Sequence, residues 1–193
     1  MKPGGGQKKG KKYEKDLAKK LSLWWTDGER DDIFYLSSGS GSRFTTRQKL
    51  NKSTANSAGD LNALDPIGQP LVDLFVLEAK KGYNKELDIL KIIDSKKKTH
   101  ALIDWLSKSK KEARESGRYH ALVLFRRDNH QDSIAMEYMF FARLEPFCGG
   151  FQETYLEINL SNLDSYAIMK LDHFLEWCDR EDIEGMLKHL NSL

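Results

Sequence analysis

Two carboxylates and a lysine sit in one short stretch of this chain. Residues 59–80 read Gly-Asp-Leu-Asn-Ala-Leu-Asp-Pro-Ile-Gly-Gln-Pro-Leu-Val-Asp-Leu-Phe-Val-Leu-Glu-Ala-Lys. Residues 65–70 are dense in turn formers. Residues 71–79 are apolar and β-branched enough to form a buried strand. A hairpin turning near Gly68–Gln69 sets Asp60 opposite Glu78. Opposed positions in an antiparallel pair lie about 4.5–5.5 Å apart. Two carboxylates that close repel unless a cation sits between them. Lys80, two residues beyond Glu78, points to the same face. A hard cation such as Mg²⁺ takes carboxylate oxygens and water, usually one or two carboxylates plus a substrate phosphate. A lysine beside it can polarise an attacking water or stabilise charge on a transferring phosphorus.

The rival reading is an ordinary hairpin with a surface salt bridge. Two features favour a cation site. Glu78 ends an apolar run, where a charge is costly without a partner. Ala79 leaves its backbone carbonyl free to approach a metal. Two other aspartates compete for the role. Asp73 lies an odd number of residues before Glu78, which places it on the opposite face of the strand, about 17 Å away at roughly 3.4 Å per residue. Asp65 sits at the turn. Both read as turn or surface residues.

The elements around this stretch follow from periodicity. Residues 11–26 suit a helix, with Tyr13, Leu17, Leu21 and Trp24/Trp25 on one stripe and Glu14 at its flank. Taken alone, Glu14 reads as a surface partner of a lysine such as Lys11. Residues 33–36 read as the first strand. Residues 37–58 are rich in Ser, Gly, Thr and Asn with interspersed cations, among them Arg43 and Arg47. A loop of about 20 residues is unusual in a compact domain unless functional or mobile. Its hydroxyls, amides and cations suit a phosphate backbone, so DNA contact and a solvent loop both stand as readings. Residues 81–94 fit either a helix or a strand. Residues 97–116 read as a helix burying Ala101, Leu102, Trp105, Leu106, Ser109 and Ala113, with Lys108 and Lys110 outside and Gly117 as its stop. Residues 119–126 form a strong buried strand, and residues 133–144 read as a strand returning beside it. Residues 154–160 read as another strand, and residues 163–191 as one or two amphipathic helices.

At 193 residues and 39% hydrophobic content, the expected organisation is one domain with appendages: a basic tail over 1–10, a core over 11–160 and a helical extension over 161–193. No apolar run reaches the length of a membrane span. The lysine- and glycine-rich start lacks the apolar segment of a signal peptide, so an intracellular protein is expected. Cys148 and Cys178 lack metal-type spacing and no histidine pairs with them, so two reduced thiols are expected rather than a zinc site. Residues 150–193 hold nine acidic and three basic side chains, so the remainder of a chain of net charge +2 carries +8. Positive charge concentrated around the carboxylate pair fits a polyanionic partner.

Gly59-Asp60 followed by Glu78-Ala79-Lys80 resembles the PD-(D/E)XK nuclease superfamily. The first half is most similar to archaeal and phage Holliday junction resolvases of that superfamily. Those proteins open with a Lys-Gly stretch and a helix beginning near a glutamate, here Lys9-Gly10-Lys11-Lys12-Tyr13-Glu14-Lys15. A serine- and glycine-rich loop follows, here Ser37-Ser38-Gly39-Ser40-Gly41-Ser42. Order and spacing agree over residues 9–125. Gly59 replaces the usual proline, and the stretch from Ser42 to Asp60 is longer than a compact resolvase needs.

The resemblance implies an α/β restriction-endonuclease-like core: a mixed central sheet of about five strands flanked by helices, with helical C-terminal decoration. It implies Mg²⁺ (or Mn²⁺) held by Asp60, Glu78, the Ala79 carbonyl and Glu14, with Lys80 serving the attacking water. It implies DNA contacts from Lys11, Lys12, Ser38, Ser40, Ser42, Arg43, Arg47, Lys108 and Lys110, although the two lysines of the second helix also read as a solvated face. Branched DNA is the expected substrate, and symmetric cutting of two strands implies a C₂ homodimer. A nicking, replication or restriction nuclease of the same superfamily, a non-cutting DNA-binding module and an RNA-directed protein are the alternatives.

Overall fold

The computed structural model describes residues 5–37, 58–84, 86–94, 100–160 and 164–193, with side chains from residue 9 onward. Ser38, Ser40, Ser42, Arg43 and Arg47 therefore lie outside the described residues.

Helix α1 (Gly5–Trp25) is followed by β1 (Phe34–Leu36), β2 (Leu61–Ala63), a 3₁₀ turn (Pro66–Gly68), α2 (Gln69–Leu74) and β3 (Phe75–Lys81). Then come α3 (Lys91–Asp94), α4 (Ala101–Ser116), β4 (His120–Arg126), β5 (Ser133–Glu137), α5 (Tyr138–Cys148), β6 (Tyr155–Asn159), β7 (Ser165–Lys170), α6 (Leu171–Trp177) and α7 (Arg180–Asn191). The strands form one sheet in the order β1-β2-β3-β4-β5-β7-β6. The β3–β4 pair is parallel and the other pairs are antiparallel. This mixed α/β sheet is compatible with a restriction-endonuclease-like core.

Alternation along the central strands puts helices on both faces, because successive side chains point to opposite sides. Leu77, Leu122 and Leu124 join Tyr13, Leu17 and Leu21 of α1 and Phe140, Phe141 and Phe174 in the larger core. Val123 and Phe125 join Leu102, Trp105 and Leu106 of α4 in the smaller one. Glu78 and Lys80 share the α4 side of β3, because Leu77 and Ala79 take the α1 side.

Four local expectations are corrected. The connection from β2 to β3 is not a tight turn, and residues 71–74 are not strand. Asp65 caps the 3₁₀ turn by accepting a hydrogen bond from the Ile67 amide (3.0 Å), and Pro66 and Pro70 stand at first-turn positions, where their fixed φ suits a helix. Leu71, Val72 and Leu74 are buried from α2. Asp73 is exposed on α2 and accepts from the Gln69 side chain (2.6 Å), so it lies outside strand β3. Residues 138–144 are helical rather than strand, with Phe140, Phe141 and Leu144 buried at helical spacing. Residues 165–170, expected as helix, form β7 between β5 and β6; this is the main reason the sheet has seven strands instead of about five. Finally, α1 begins at Gly5, inside the stretch expected as a tail.

Candidate active site

Asp60 precedes β2, and the observed pairing of Leu61 with Leu77 places it opposite Glu78 as the sequence arithmetic required. Its backbone continues the ladder: Asp60 N–H donates to Leu77 O (2.8 Å) and Ser37 N–H to Asp60 O (2.9 Å). Asp60 Oδ2 then accepts from the Ala79 amide (3.0 Å) and from Lys80 Nζ (3.3 Å). Lys80 Nζ also pairs with Glu78 Oε1 and reaches Ala79 O (3.4 Å). Three oxygens, from Asp60, Glu78 and the Ala79 backbone, thus converge on one cationic nitrogen.

The electrostatics follow from burial. Glu78 is pushed up to about 7, first by burial and then by the charge of Asp60, with Lys80 opposing. Burial works against the Lys80 ammonium, but Glu78 and Asp60 outweigh it and raise its pKa. A buried carboxylate pair of this kind favours a bound cation. The oxygen donors suit a hard divalent ion, with Asp60, Glu78 and the Ala79 carbonyl as the residues that would hold it.

Glu14 lies on the flank of this pair. The Tyr13 ring packs under Lys81 (5.8 Å to the ring centroid) and the Arg126 guanidinium (5.0 Å) at the paired ends of β3 and β4. That contact anchors α1 beside the site. Burial raises the Glu14 pKa, Asp60 raises it further, and Lys80 and Lys11 oppose. Among the described residues, the group of three His, Cys, Asp or Glu donors lying within 4.8 Å of one another is elsewhere, at Cys148, Cys178 and Asp182. Glu14 thus flanks the Asp60–Glu78 pair without closing a third corner at that distance.

Two residues that the sequence reading passed over support the site. Glu112 of α4 accepts the Gly59 amide at Oε1 (2.9 Å). Burial raises its pKa, the Gly59 bond opposes, and Asp60 adds to the rise. Arg118, after α4, donates from its Nη1 to Ala58 O and Phe75 O (both 3.1 Å) and from its Nη2 to Asn62 Oδ1 (2.6 Å). Asn62 in turn donates to Ala58 O (3.0 Å) and to Ser37 Oγ. One side chain therefore ties the approach to Asp60 to the start of β3. Local spacing marks out neither residue, because their partners are remote in sequence.

Gly59 has φ +75°, and a Cβ there would lie 2.7 Å from Leu77 O. Proline, with φ locked near −65°, could not occupy this position, which accounts for Gly-Asp in place of Pro-Asp. Gly59→Ala is expected to lower stability by at least about 1–2 kcal/mol from the left-handed conformation alone. A lowered melting temperature together with reduced cleavage is the expected readout; an unchanged protein would refute the close approach. Glu112→Ala should reduce activity at least about tenfold by releasing the Gly59 amide, while Glu112→Gln keeps an acceptor and most of the activity. Equal losses in the two variants would mean that the charge, not the hydrogen bond, matters.

The remaining expected contacts disperse. Lys11 and Lys12 are exposed on α1, on the Glu14 segment. Lys108 is exposed on α4. Lys110 is ion-paired with Glu137 (2.7 Å) and Asp164 (2.8 Å). A hydrogen bond from His120 and then the Lys110 contact, working against burial, hold Glu137 down at about 2.

The family of phage putative PDDEXK endonucleases matches residues 5–184. The chain belongs to this family. The match spans α1, the Asp60–Glu78–Lys80 cluster, all seven strands and the first turn of α7. No curated protein and no solved structure matches the chain. No helix among its described residues is long and apolar enough to cross a membrane.

Proposed function

We propose that the chain is a divalent-metal-dependent DNA endonuclease, with Asp60, Glu78 and the Ala79 carbonyl as ligands of Mg²⁺ or Mn²⁺. The supporting observation is the convergence of those three oxygens on Lys80 Nζ. When bound, the metal supplies Lewis acidity and a water of lowered pKa. Lys80, its pKa raised by two carboxylates, is an ammonium at neutral pH. It therefore acts as a donor that orients the attacking oxygen and offsets charge on the phosphorus, and does not act as a base. Glu14, a carboxylate raised by burial and by Asp60, is the group on this flank suited to order that water and receive its proton. Lys11 and Lys12 extend positive charge along α1 toward a phosphate backbone.

Branched DNA, especially a four-way junction, is the proposed substrate. It rests on the order of the Lys-Gly segment, Glu14, the serine-glycine loop, Asp60 and Glu78-x-Lys80. Symmetric cuts require two such sites, hence a homodimer. The test compares cleavage of a four-way junction, linear duplex and single strand with Mg²⁺, alongside molar mass in solution. Preferential, paired junction cuts by a dimer are expected. Equal cutting of linear duplex would assign a different nuclease of the family, and no cutting of any DNA with Mg²⁺ or Mn²⁺ would overturn the enzyme reading. Asp73→Asn should stay near wild type in the same assay, since Asp73 lies on α2 outside the cluster; an inactive variant would show that a needed aspartate had been misassigned.

A further inference from the structure

Cys148 is the last residue of α5, Cys178 lies between α6 and α7, and Asp182 stands in the first turn of α7. Their two sulfurs and one carboxylate oxygen lie within 4.8 Å of one another. The linear spacing that argued against a metal site is thus overridden by the packing of α5 against the start of α7. Cys178 is fully buried, whereas Cys148 and Asp182 are partly accessible. Apart from this group, Cys178 Sγ has a weak contact with Asp179 O at 3.9 Å.

The surroundings hold the three donors in place. The Trp24 indole donates to Cys178 O (2.9 Å), and the Trp177 indole donates to Gly149 O (2.7 Å), next to Cys148. The Asp179 amide donates to Asp182 Oδ2 (3.0 Å) in a reciprocal capping box. A carboxylate has about four acceptor positions, so Asp182 can keep that bond and still bind a cation. The two indole bonds fix the backbone at or beside each cysteine, and the Asp179 bond orients the Asp182 carboxylate from behind, as outer-shell bonds do at metal sites.

We propose that Cys148, Cys178 and Asp182 form a second metal site, selective for a thiophilic divalent ion such as Zn²⁺, with solvent as the fourth ligand. Two sulfurs and one oxygen favour Zn²⁺ over Mg²⁺, which prefers an all-oxygen set. Zinc bonds of about 2.3 Å to sulfur and about 2.0–2.2 Å to oxygen place neighbouring tetrahedral donors roughly 3.5–3.8 Å apart. The three donors close to that spacing with side-chain shifts of about an ångström. Binding converts both thiols to thiolates and releases two protons to solvent. Burial disfavours a bare thiolate at Cys178, and the metal charge offsets that cost. The bound ion would join the end of α5 to the start of α7.

The test uses the full chain, reduced and stripped of metal, titrated with Co²⁺ as a spectroscopic probe and with Zn²⁺ in competition. One Co²⁺ per chain with a thiolate-to-metal charge-transfer band is expected, bleached by stoichiometric Zn²⁺. The band should persist in Asp60→Asn, because the oxygen site contains no sulfur. It should vanish in Cys148→Ser and weaken in Asp182→Asn. Zn²⁺ should also raise the melting temperature of the wild type more than that of Cys148→Ser. Should Cys178→Ser fail to fold, Cys148→Ser at the accessible helix end carries the test. Absence of the band in the wild type, its persistence in Cys148→Ser, or a Cys148–Cys178 disulfide in the intact mass of protein purified under reducing conditions would overturn the proposal. The outcome is independent of whether the Asp60 site cleaves DNA.

Discussion

Asp60→Asn and Glu78→Gln are each expected to lower Mg²⁺-dependent DNA cleavage by about three orders of magnitude or more while leaving DNA binding largely intact. Each change would remove a charged ligand from the proposed metal site, where a bound ion would contribute several kcal/mol of charge stabilisation, and about 1.4 kcal/mol corresponds to tenfold in rate. The two variants differ in stability. Glu78 is raised from 4.5 in the unfolded chain to about 7 in the fold. Its native state therefore holds a proton that the unfolded chain has released, and stability falls as pH rises from about 4.5 to about 7. Above that window the full cost of the buried charge is present. Glu78→Gln should thus melt higher than wild type at pH 8 in chelator and nearly level with it at pH 4.5. Asp60→Asn should gain less, because Asp60 Oδ2 accepts the Ala79 amide as well as the Lys80 ammonium. Measured cleavage near wild type in either variant sinks the ligand assignment. A Glu78→Gln protein that melts lower at pH 8 sinks the electrostatic account.

Arg118→Met is expected to destabilise the fold by about 3–5 kcal/mol. An acceptor shielded from water and left without its donor typically costs about 1–3 kcal/mol, and several lose theirs at once. Here the loss strips donors from Ala58 O, Phe75 O and Asn62 Oδ1. Burial has already drawn the guanidinium down to about 10, so this side chain is held by its hydrogen bonds and little hydrated. The damage should concentrate on the 58–60 approach and the first residues of β3, where faster amide exchange of Asp60 and Leu77 is the local readout. Arg118→Lys should recover only part of the stability, because an ammonium lacks the planar fork that reaches a carbonyl and an amide oxygen together. A Met variant within about 1 kcal/mol of wild type in denaturant unfolding would remove Arg118 from the scaffold of the site.

The Asp60–Glu78 register was legible although the connection between them was not. The pairing of Leu61 with Leu77 fixes it, and the two apolar flanks carry that information. The α2 helix was masked because Leu71, Val72 and Leu74 satisfy a buried strand and a helical stripe equally well over so few residues. The same ambiguity turned residues 138–144 from helix into strand, where five successive apolar or aromatic side chains, Tyr138 to Ala142, hide the period. Strand β7 was hidden by its position beside two true helices of similar apolar content. Tyr13, Leu17, Leu21 and Trp25, by contrast, announced α1 clearly, because a full helical stripe repeats over several turns.

The sequence by itself determined the candidate site: an Asp and a Glu-x-Lys on paired strands, a neighbouring glutamate on a helix, and a positive first part. These are local patterns, written in residue type and period. Tertiary structure decided which other groups join them. Glu112 reaches Gly59 and Arg118 reaches Ala58, Phe75 and Asn62 across more than forty positions of chain, and Cys148 meets Cys178 and Asp182 at a helix junction. Such contacts arise from how sheet and helices pack, and linear spacing does not encode them. The same packing sets burial, and burial, more than residue type, moves Glu78 to about 7.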